Sequence, residues 1–217
     1  RWYLLAANSF AGDGNYADQD IVLKANADLS NNLGNLVNRV ISMALKYFPD
    51  HAPKHRGQLP AGVEGVATRM QSRLGAKGEL LTNAIGEMDL MGYCSRITDF
   101  SMALNKFVDE TKPLALAKTM ATSAETSAQL ETALAELLEG IFHLALALWP
   151  VIPSASEAIL EVMGYSSAEK NALWFESKLH SGRAISVPRW KEFGFKTDRV
   201  FKLATPKPLF PRLEQKQ

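Results

Sequence analysis

From Asp18 onward apolar residues recur at helical spacing: Ile21, Val22, Ala25, Leu29, Leu33, Leu36, Val37, Val40, Ile41, Ala44 and Leu45. The stripe predicts a long amphipathic helix capped by Asp18, with an irregularity near Asn26, Ala27 and Asp28. Pro49, Pro53 and Pro60 follow with three glycines between Phe48 and Gly65, so this stretch is read as a loop. Helical spacing resumes from about Val66 to Asp109 and is interrupted near Gly86 to Asp89, which predicts two antiparallel helices. Pro113 suits a first helical turn and opens a short segment from Leu114 to Met120.

The clearest helix is expected over Ser127 to Leu148. Its Leu130, Ala133, Leu134, Leu137, Leu138, Ile141, Leu144, Ala145 and Leu148 form an apolar face wide enough to need several neighbours. Pro150 and Pro153 stop it, Ser154 is expected to cap the next short helix, and Gly164 to end that one. After about His180 the pattern changes to VPRWKEFGFKTDRVFKLATPKPLFPRLEQKQ, with four prolines and alternating apolar and basic residues. Its Trp190, Phe193, Phe195, Phe201, Leu209 and Phe210 need an apolar surface to lie on. The fold class is therefore all-α: a helical bundle at 16–180, preceded by a connector at 1–15 and followed by an extended tail at 181–217. The tail is expected to lie along the bundle, with its end beyond Thr205 held weakly.

At 217 residues the chain supports one substantial core, and 47% hydrophobic with 22% charged residues is an ordinary globular balance. A formal charge of +1 gives no global drive toward nucleic acid, so any RNA contact has to come from a local site. The single Cys94 excludes an internal disulfide and fits a reducing compartment, with the cytoplasm as the expected location. The longest apolar run, Ile141 to Ile152, is broken by His143 and Pro150 and is too short to span a bilayer. Arg1 to Leu5 starts as though inside an amphipathic helix, so the chain is expected to be a piece of something longer.

Catalytic signatures are not found: no Gly-rich phosphate loop precedes a helix, and neither an HExxH nor a paired-cysteine metal spacing occurs. No catalytic and no metal-binding residue is assigned. His51 and His55 flank Pro53, which prevents a shared helical face, so a solvated loop is expected. Cys94 reads as a buried thiol and His143 as a satisfied core histidine. Two features are more informative. In NNLGNLVNRV, Asn35 and Arg39 put an amide and a guanidinium on one helix face, where together they could grip a base edge or a phosphate. In DETKPLALAK, Asp109, Glu110 and Thr111 close one helix and Lys112-Pro113 opens the next, with backbone amides exposed at the start. On spacing alone the first is more often a solvated face or a cap for a loop, and the second a plain connection.

Read in order, RWYLLAANSFAGDGNY, ANADLSNNLGNLVNRV, LNKFVDETKPLALAK, ALWPVIPSASEAILEVMG and PKPLFPRLE resemble the C-terminal half of bacterial-type methionyl-tRNA synthetases over nearly the whole chain. The resemblance implies a helical bundle that binds the anticodon stem-loop of tRNA(Met), and a tail returning toward a catalytic core that the chain lacks. Residues 1–15 would then connect to that core, which would bind ATP and carry any zinc knuckle; the fragment alone would be inactive and cofactor-free. Asn35 and Arg39 match the family's anticodon-contacting asparagine and arginine, and Pro113 the proline before its anticodon-stacking tryptophan. Leu114 stands in place of that tryptophan, which removes the aromatic face on which the first anticodon base would stack. Other readings are the equivalent domain of a related class I synthetase, or a helical protein-interaction module without RNA binding. None of these readings places the chain in a membrane.

Overall fold

In a computed structural model, residues 1–9, 14, 17–178, 184–188 and 194–214 are described, the strand segments 175–178 and 184–188 by backbone alone. The architecture is an all-α bundle with one small hairpin. Ten α-helices are described: α1 (Trp2–Ala6), α2 (Asp18–Lys24), α3 (Asn35–Tyr47), α4 (Val66–Leu74), α5 (Glu79–Gly86), α6 (Leu90–Thr111), α7 (Pro113–Thr119), α8 (Ala124–Leu148), α9 (Pro153–Val162) and α10 (Ser167–Ala172). A π-helical segment, Ala25–Gly34, joins α2 to α3, with helical backbone at both junctions. Trp190 and Phe193, and most of the end of the connector from Ala11 to Asn15, lie outside the described residues.

The irregularity expected near Asn26 is this π segment. Asn, Asp, Ser and Gly are indifferent helix formers, so little intrinsic preference resists the wider turn. Hydrogen bonds to two helices hold it. Asn32 Oδ1 accepts from Ser101 Oγ at 3.0 Å and Asn105 Nδ2 at 2.8 Å, which ties the segment to α6. Trp2 Nε1 donates to Asp28 Oδ2 at 3.0 Å, which ties it to α1. The segment fixes where α3 begins, and therefore where Asn35 and Arg39 stand.

Helix α8 is the axis of the molecule, buried almost throughout from Leu130 to Leu148 and packed by α3, α4, α6, α7 and α9. Its few polar side chains bind backbone that would otherwise be orphaned. Glu131 Oε1 accepts from Lys54 N at 3.2 Å, Thr132 Oγ1 from Arg56 N and Gly57 N at 3.0 Å each, and Glu136 Oε2 from Val66 N at 2.6 Å. The proline-rich stretch 48–65 is therefore a loop, as expected, but one stapled along α8. His51 shares this arrangement: its Nε2 lies 3.1 Å from Glu131 Oε1, so it is half-exposed and paired rather than simply solvated.

Several boundaries differ from the expectation. Asp18 is the first helical residue, Ala17 holds the cap position, and no side chain caps α2. The region from Val66 to Asp109 forms three helices instead of two. Besides the expected break at 87–89, the chain turns after Leu74, where Gly75 adopts φ 86° and the Glu79 carboxylate accepts from Ala76 N and Lys77 N at 3.1 and 2.8 Å. Ser154 does not cap α9. Ile152 occupies that position, because Pro153 already supplies the first helical residue with no amide to satisfy. Helix α10 was not anticipated, although its Ser166-x-x-Glu169 capping box is written in the sequence.

Strands β1 (Trp174–Lys178) and β2 (Ala184–Pro188) pair antiparallel, Trp174 opposite Pro188, and so span the 180/181 position where the tail was drawn. Beyond Gly194 the tail runs back over the bundle. Phe201 is buried, and Lys202 N and Ala204 N donate to Met163 O and Val162 O at 3.1 and 2.8 Å. Gly164 makes this approach feasible: at φ 90°, a Cβ there would fall 2.2 Å from Lys202 O. The described part of the end, expected to be held weakly, makes specific contacts with the π segment. Ser30 Oγ donates to Phe210 O at 3.0 Å, and Asn26 makes both amide hydrogen bonds to the Leu213 backbone, at 2.9 and 2.8 Å. The physical reason is that the π segment offers side-chain donors and acceptors that satisfy an extended strand of backbone.

Candidate functional site

Three of the four residues singled out from the sequence line one open groove. Helix α3 carries Arg39 to one wall, and α6 ends opposite it with Val108 and Asp109. The chain then turns through Lys112 into α7, which brings Pro113 and Leu114 to the rim. The groove has a volume of about 430 Å³, with an apolar floor that includes Met43 and Val108. Leu114 is 59% exposed and Pro113 is buried beneath it. Asn35 stands one helical turn before Arg39, exposed and outside the lining, where its Nδ2 donates to Asn31 O at 3.2 Å.

Arg39 does not face the groove as a bare charge. Its Nη2 lies 3.5 Å from Asp109 Oδ1, an ion pair with both partners substantially exposed. The adjacent Glu110 is engaged from the other side by the buried Arg69 and by Lys106 Nζ at 3.7 Å. Arg69 also donates to Glu64 O at 2.9 Å and Ala103 O at 3.3 Å, which locks the end of α6 against the loop. The groove walls are thus set by a rigid corner rather than by side chains free to rearrange.

The corner has a backbone peculiarity. Lys112 adopts φ 47° and ψ 57°, a left-handed conformation that serves α6 as C-cap and α7 as N-cap at once. Its N–H donates to Val108 O at 3.0 Å, and its carbonyl accepts from Ala115 N at 2.8 Å. Lys118 lines the groove one turn beyond Leu114. Sequence reasoning missed Met43, Lys112 and Lys118 as groove residues. The i, i+4 rule applied from Arg39 and Leu114 would have found Met43 and Lys118.

Nothing elsewhere among the described residues has the look of a metal centre: no group of three or more His, Cys, Asp or Glu is placed to hold an ion. Cys94 is buried, and burial pushes its thiol pKa up to about 12, the opposite of an activated nucleophile. His143 is buried against Glu139, as a core histidine should be. Among the described residues no helix is long and apolar enough to cross a membrane.

Residues 1–41 match a family model described as tRNA synthetases class I (M). Over 99% of its length the chain is 30% identical to the methionine–tRNA ligase of Enterococcus faecalis, and over 99% it is 28% identical to that of Fusobacterium nucleatum. Along nearly its whole length the chain is similar to methionyl-tRNA synthetases. It spans only 28% and 30% of those two relatives, so it corresponds to one region of such an enzyme. The fold agrees. The apo methionyl-tRNA synthetase of Mycobacterium tuberculosis superimposes with a TM-score of 0.77 at 23% identity, covering 99% of this chain and 38% of that one. The same organism's synthetase in complex with methionyl-adenylate gives 0.74 at 26% identity, covering 97% of this chain and 36% of the other.

Proposed function

We propose that this chain is the anticodon-binding region of a methionine–tRNA ligase, and that the groove between α3 and α7 receives the anticodon loop of tRNA(Met). The observation that carries the reading is the convergence of Arg39, Pro113 and Leu114 on one open groove, with Asn35 one turn away on the same helix. Arg39 and Asp109, 70 positions apart in sequence, face each other across it. Single-stranded RNA loops are read by side chains that hydrogen-bond splayed bases and pack on their faces, and this groove pairs a polar wall with an apolar floor.

In the whole enzyme the bundle would inspect the anticodon while a catalytic core, bound to ATP and carrying any zinc, activates methionine and charges the distant acceptor end. The tail, returning along the bundle to the π segment beside α1, would link the two. A cytoplasmic setting follows from that role.

Titration of the chain with the methionine anticodon stem-loop at fixed salt tests this. Asn35→Ala and Arg39→Ala should each weaken binding by about 1–3 kcal/mol, the range for a good bidentate contact. A loop altered only at its first anticodon base should bind less tightly to the parent. If both variants bind both loops as the parent does, the groove is not the site.

A further inference from the structure

We propose that Lys112 is an RNA-contacting residue of this groove, binding a backbone phosphate of the loop, and that with Lys118 it substitutes charge for the aromatic stacking that Leu114 cannot supply. The inference rests on the reading of the groove as an RNA site.

Three observations lead to it. The first is charge. Of the three cations lining the groove, Arg39 is already paired with Asp109, and the neighbouring carboxylate Glu110 is held by Arg69 and Lys106. No salt bridge to Lys112 or Lys118 occurs among the described residues, so the groove's uncompensated positive charge comes from these two. A compact ammonium on a flexible stem is suited to a phosphate as a point charge rather than to a base edge.

The second is backbone conformation. Lys112 is one of two non-glycine residues with positive φ among those described, the other being Met88 at a corner away from the groove. The left-handed cap position favours glycine, then asparagine, because a Cβ is disfavoured there. The backbone role of Lys112, one amide given and its carbonyl twice accepting, needs no side chain at all. A lysine in such a place is explained by what its side chain does, and Lys112 is an exposed residue of the groove lining.

The third is Leu114. It is 59% exposed at the rim and offers apolar contact without a π face. A loop seated on this floor finds no aromatic face at Leu114, and phosphate contacts from Lys112 and Lys118 add affinity to that supplied by Asn35 and Arg39. Phosphate contacts carry no base identity. This groove should therefore bind its loop with a steep salt dependence and with shallow discrimination at the first anticodon base.

The test compares the parent chain with Lys112→Gly, Lys112→Asn and Lys112→Arg, and with Arg39→Ala as reference. Each is titrated with the methionine anticodon stem-loop, and with a loop changed at its first anticodon base, across a series of salt concentrations. Lys112→Gly should melt at the parent's temperature or above it, since strain is relieved, yet bind both loops more weakly by the same factor, roughly threefold or more at moderate salt. Its slope of log affinity against log salt should fall by roughly 0.7, the value for one single-strand phosphate. Lys112→Asn, which tolerates the same backbone, should repeat this, and Lys112→Arg should bind as the parent does. If Lys112→Gly proves less stable, the asparagine variant alone decides. Parent-like affinity and slope in the glycine or asparagine variant, with Arg39→Ala weakened, overturn the role of Lys112 and leave the RNA site standing. Parent-like behaviour in all of them, Arg39→Ala included, overturns the RNA site and this inference with it.

Discussion

Glu139 on α8 and Arg199 on the tail are 60 residues apart in the chain, and their side chains meet at 2.7 Å with the carboxylate almost wholly buried. The same carboxylate accepts from Lys196 N at 3.0 Å and lies 3.2 Å from His143 Nε2, while the Arg199 guanidinium sits 3.8 Å over the Phe142 ring. Both oxygens of a buried charge are thus hydrogen-bonded, and the returning tail is held by it. Removing one partner of a buried pair strands the other. Arg199→Ala should therefore destabilise the bundle by about 3–5 kcal/mol, measured by denaturant unfolding. A loss under about 1 kcal/mol would mean that water replaces Arg199 without penalty and that the tail is not anchored there.

The same cluster sets a pH dependence. Burial on its own would raise the Glu139 carboxyl, but hydrogen bonds and charge from His143 and Arg199 outweigh it, so its pKa lies below the ordinary 4.5. A depressed carboxyl contributes stability that is complete above its unfolded value and is lost as pH falls through the folded one. The stability gap between the parent and Glu139→Gln should be widest near neutrality and shrink once pH drops below about 4.5. Glu136 has the opposite sign. Burial raises its carboxyl despite the Val66 N–H and the nearby charges of His55 and Arg69, so protonation favours the folded chain. Glu136→Gln should be more stable than the parent at neutral pH and lose that advantage in acid. Melting temperatures of the three proteins across pH separate the two effects.

Truncation after Ala204 tests the seat of the tail on the π segment. It removes the Ser30 and Asn26 hydrogen bonds and uncovers the partly buried Leu209 and Phe210 beside the core. Three net hydrogen bonds, two of them exposed, and partial burial of two apolar side chains amount to about 2–4 kcal/mol. An unchanged melting temperature would show that the last ten described residues are not held by the bundle in solution.

How far these features were legible depends on range. Helices with a continuous apolar face, such as α3 and α8, were read correctly because the face itself is the signal. Local breaks were read where Pro or Gly punctuates. They were missed at Gly75, where the apolar pattern continues through Leu74 and Leu81 and only the turn chemistry of Glu79 shows the break. The hairpin escaped because β1 begins directly after α10 and, among the described residues, its strands pair only with each other. The convergence of Arg39 with Leu114 was not visible from spacing, since neither residue's own helix specifies which face the other helix will meet. Only the resemblance to the synthetase family linked them. The π segment's hold on Phe210 and Leu213 was likewise out of reach: an asparagine at Asn26 suggests irregularity locally and nothing about a tail 187 residues away.

The substitution with most to say about the groove is Leu114→Trp. Stacking a base on an aromatic ring is worth roughly 1–3 kcal/mol, and leucine forgoes it. Room for an indole exists, because Leu114 is 59% exposed on an open groove of about 430 Å³ and its neighbours on α7, Ala115 and Lys118, are small or flexible. The helix should tolerate the change, since the position is exposed and Pro113, already fixed beneath it, sets the start of α7. Leu114→Trp should therefore leave melting unchanged and tighten binding to the methionine anticodon loop by about 1–3 kcal/mol. The gain should be larger for that loop than for one altered at its first anticodon base, and should persist at high salt, because stacking releases no counterions. If the tryptophan tightens both loops equally, the ring meets RNA but not that base. If it weakens binding while Asn35→Ala and Arg39→Ala also do so, the loop lies against Leu114 itself, and this protein holds the first base by apolar contact in a slot that an indole fills.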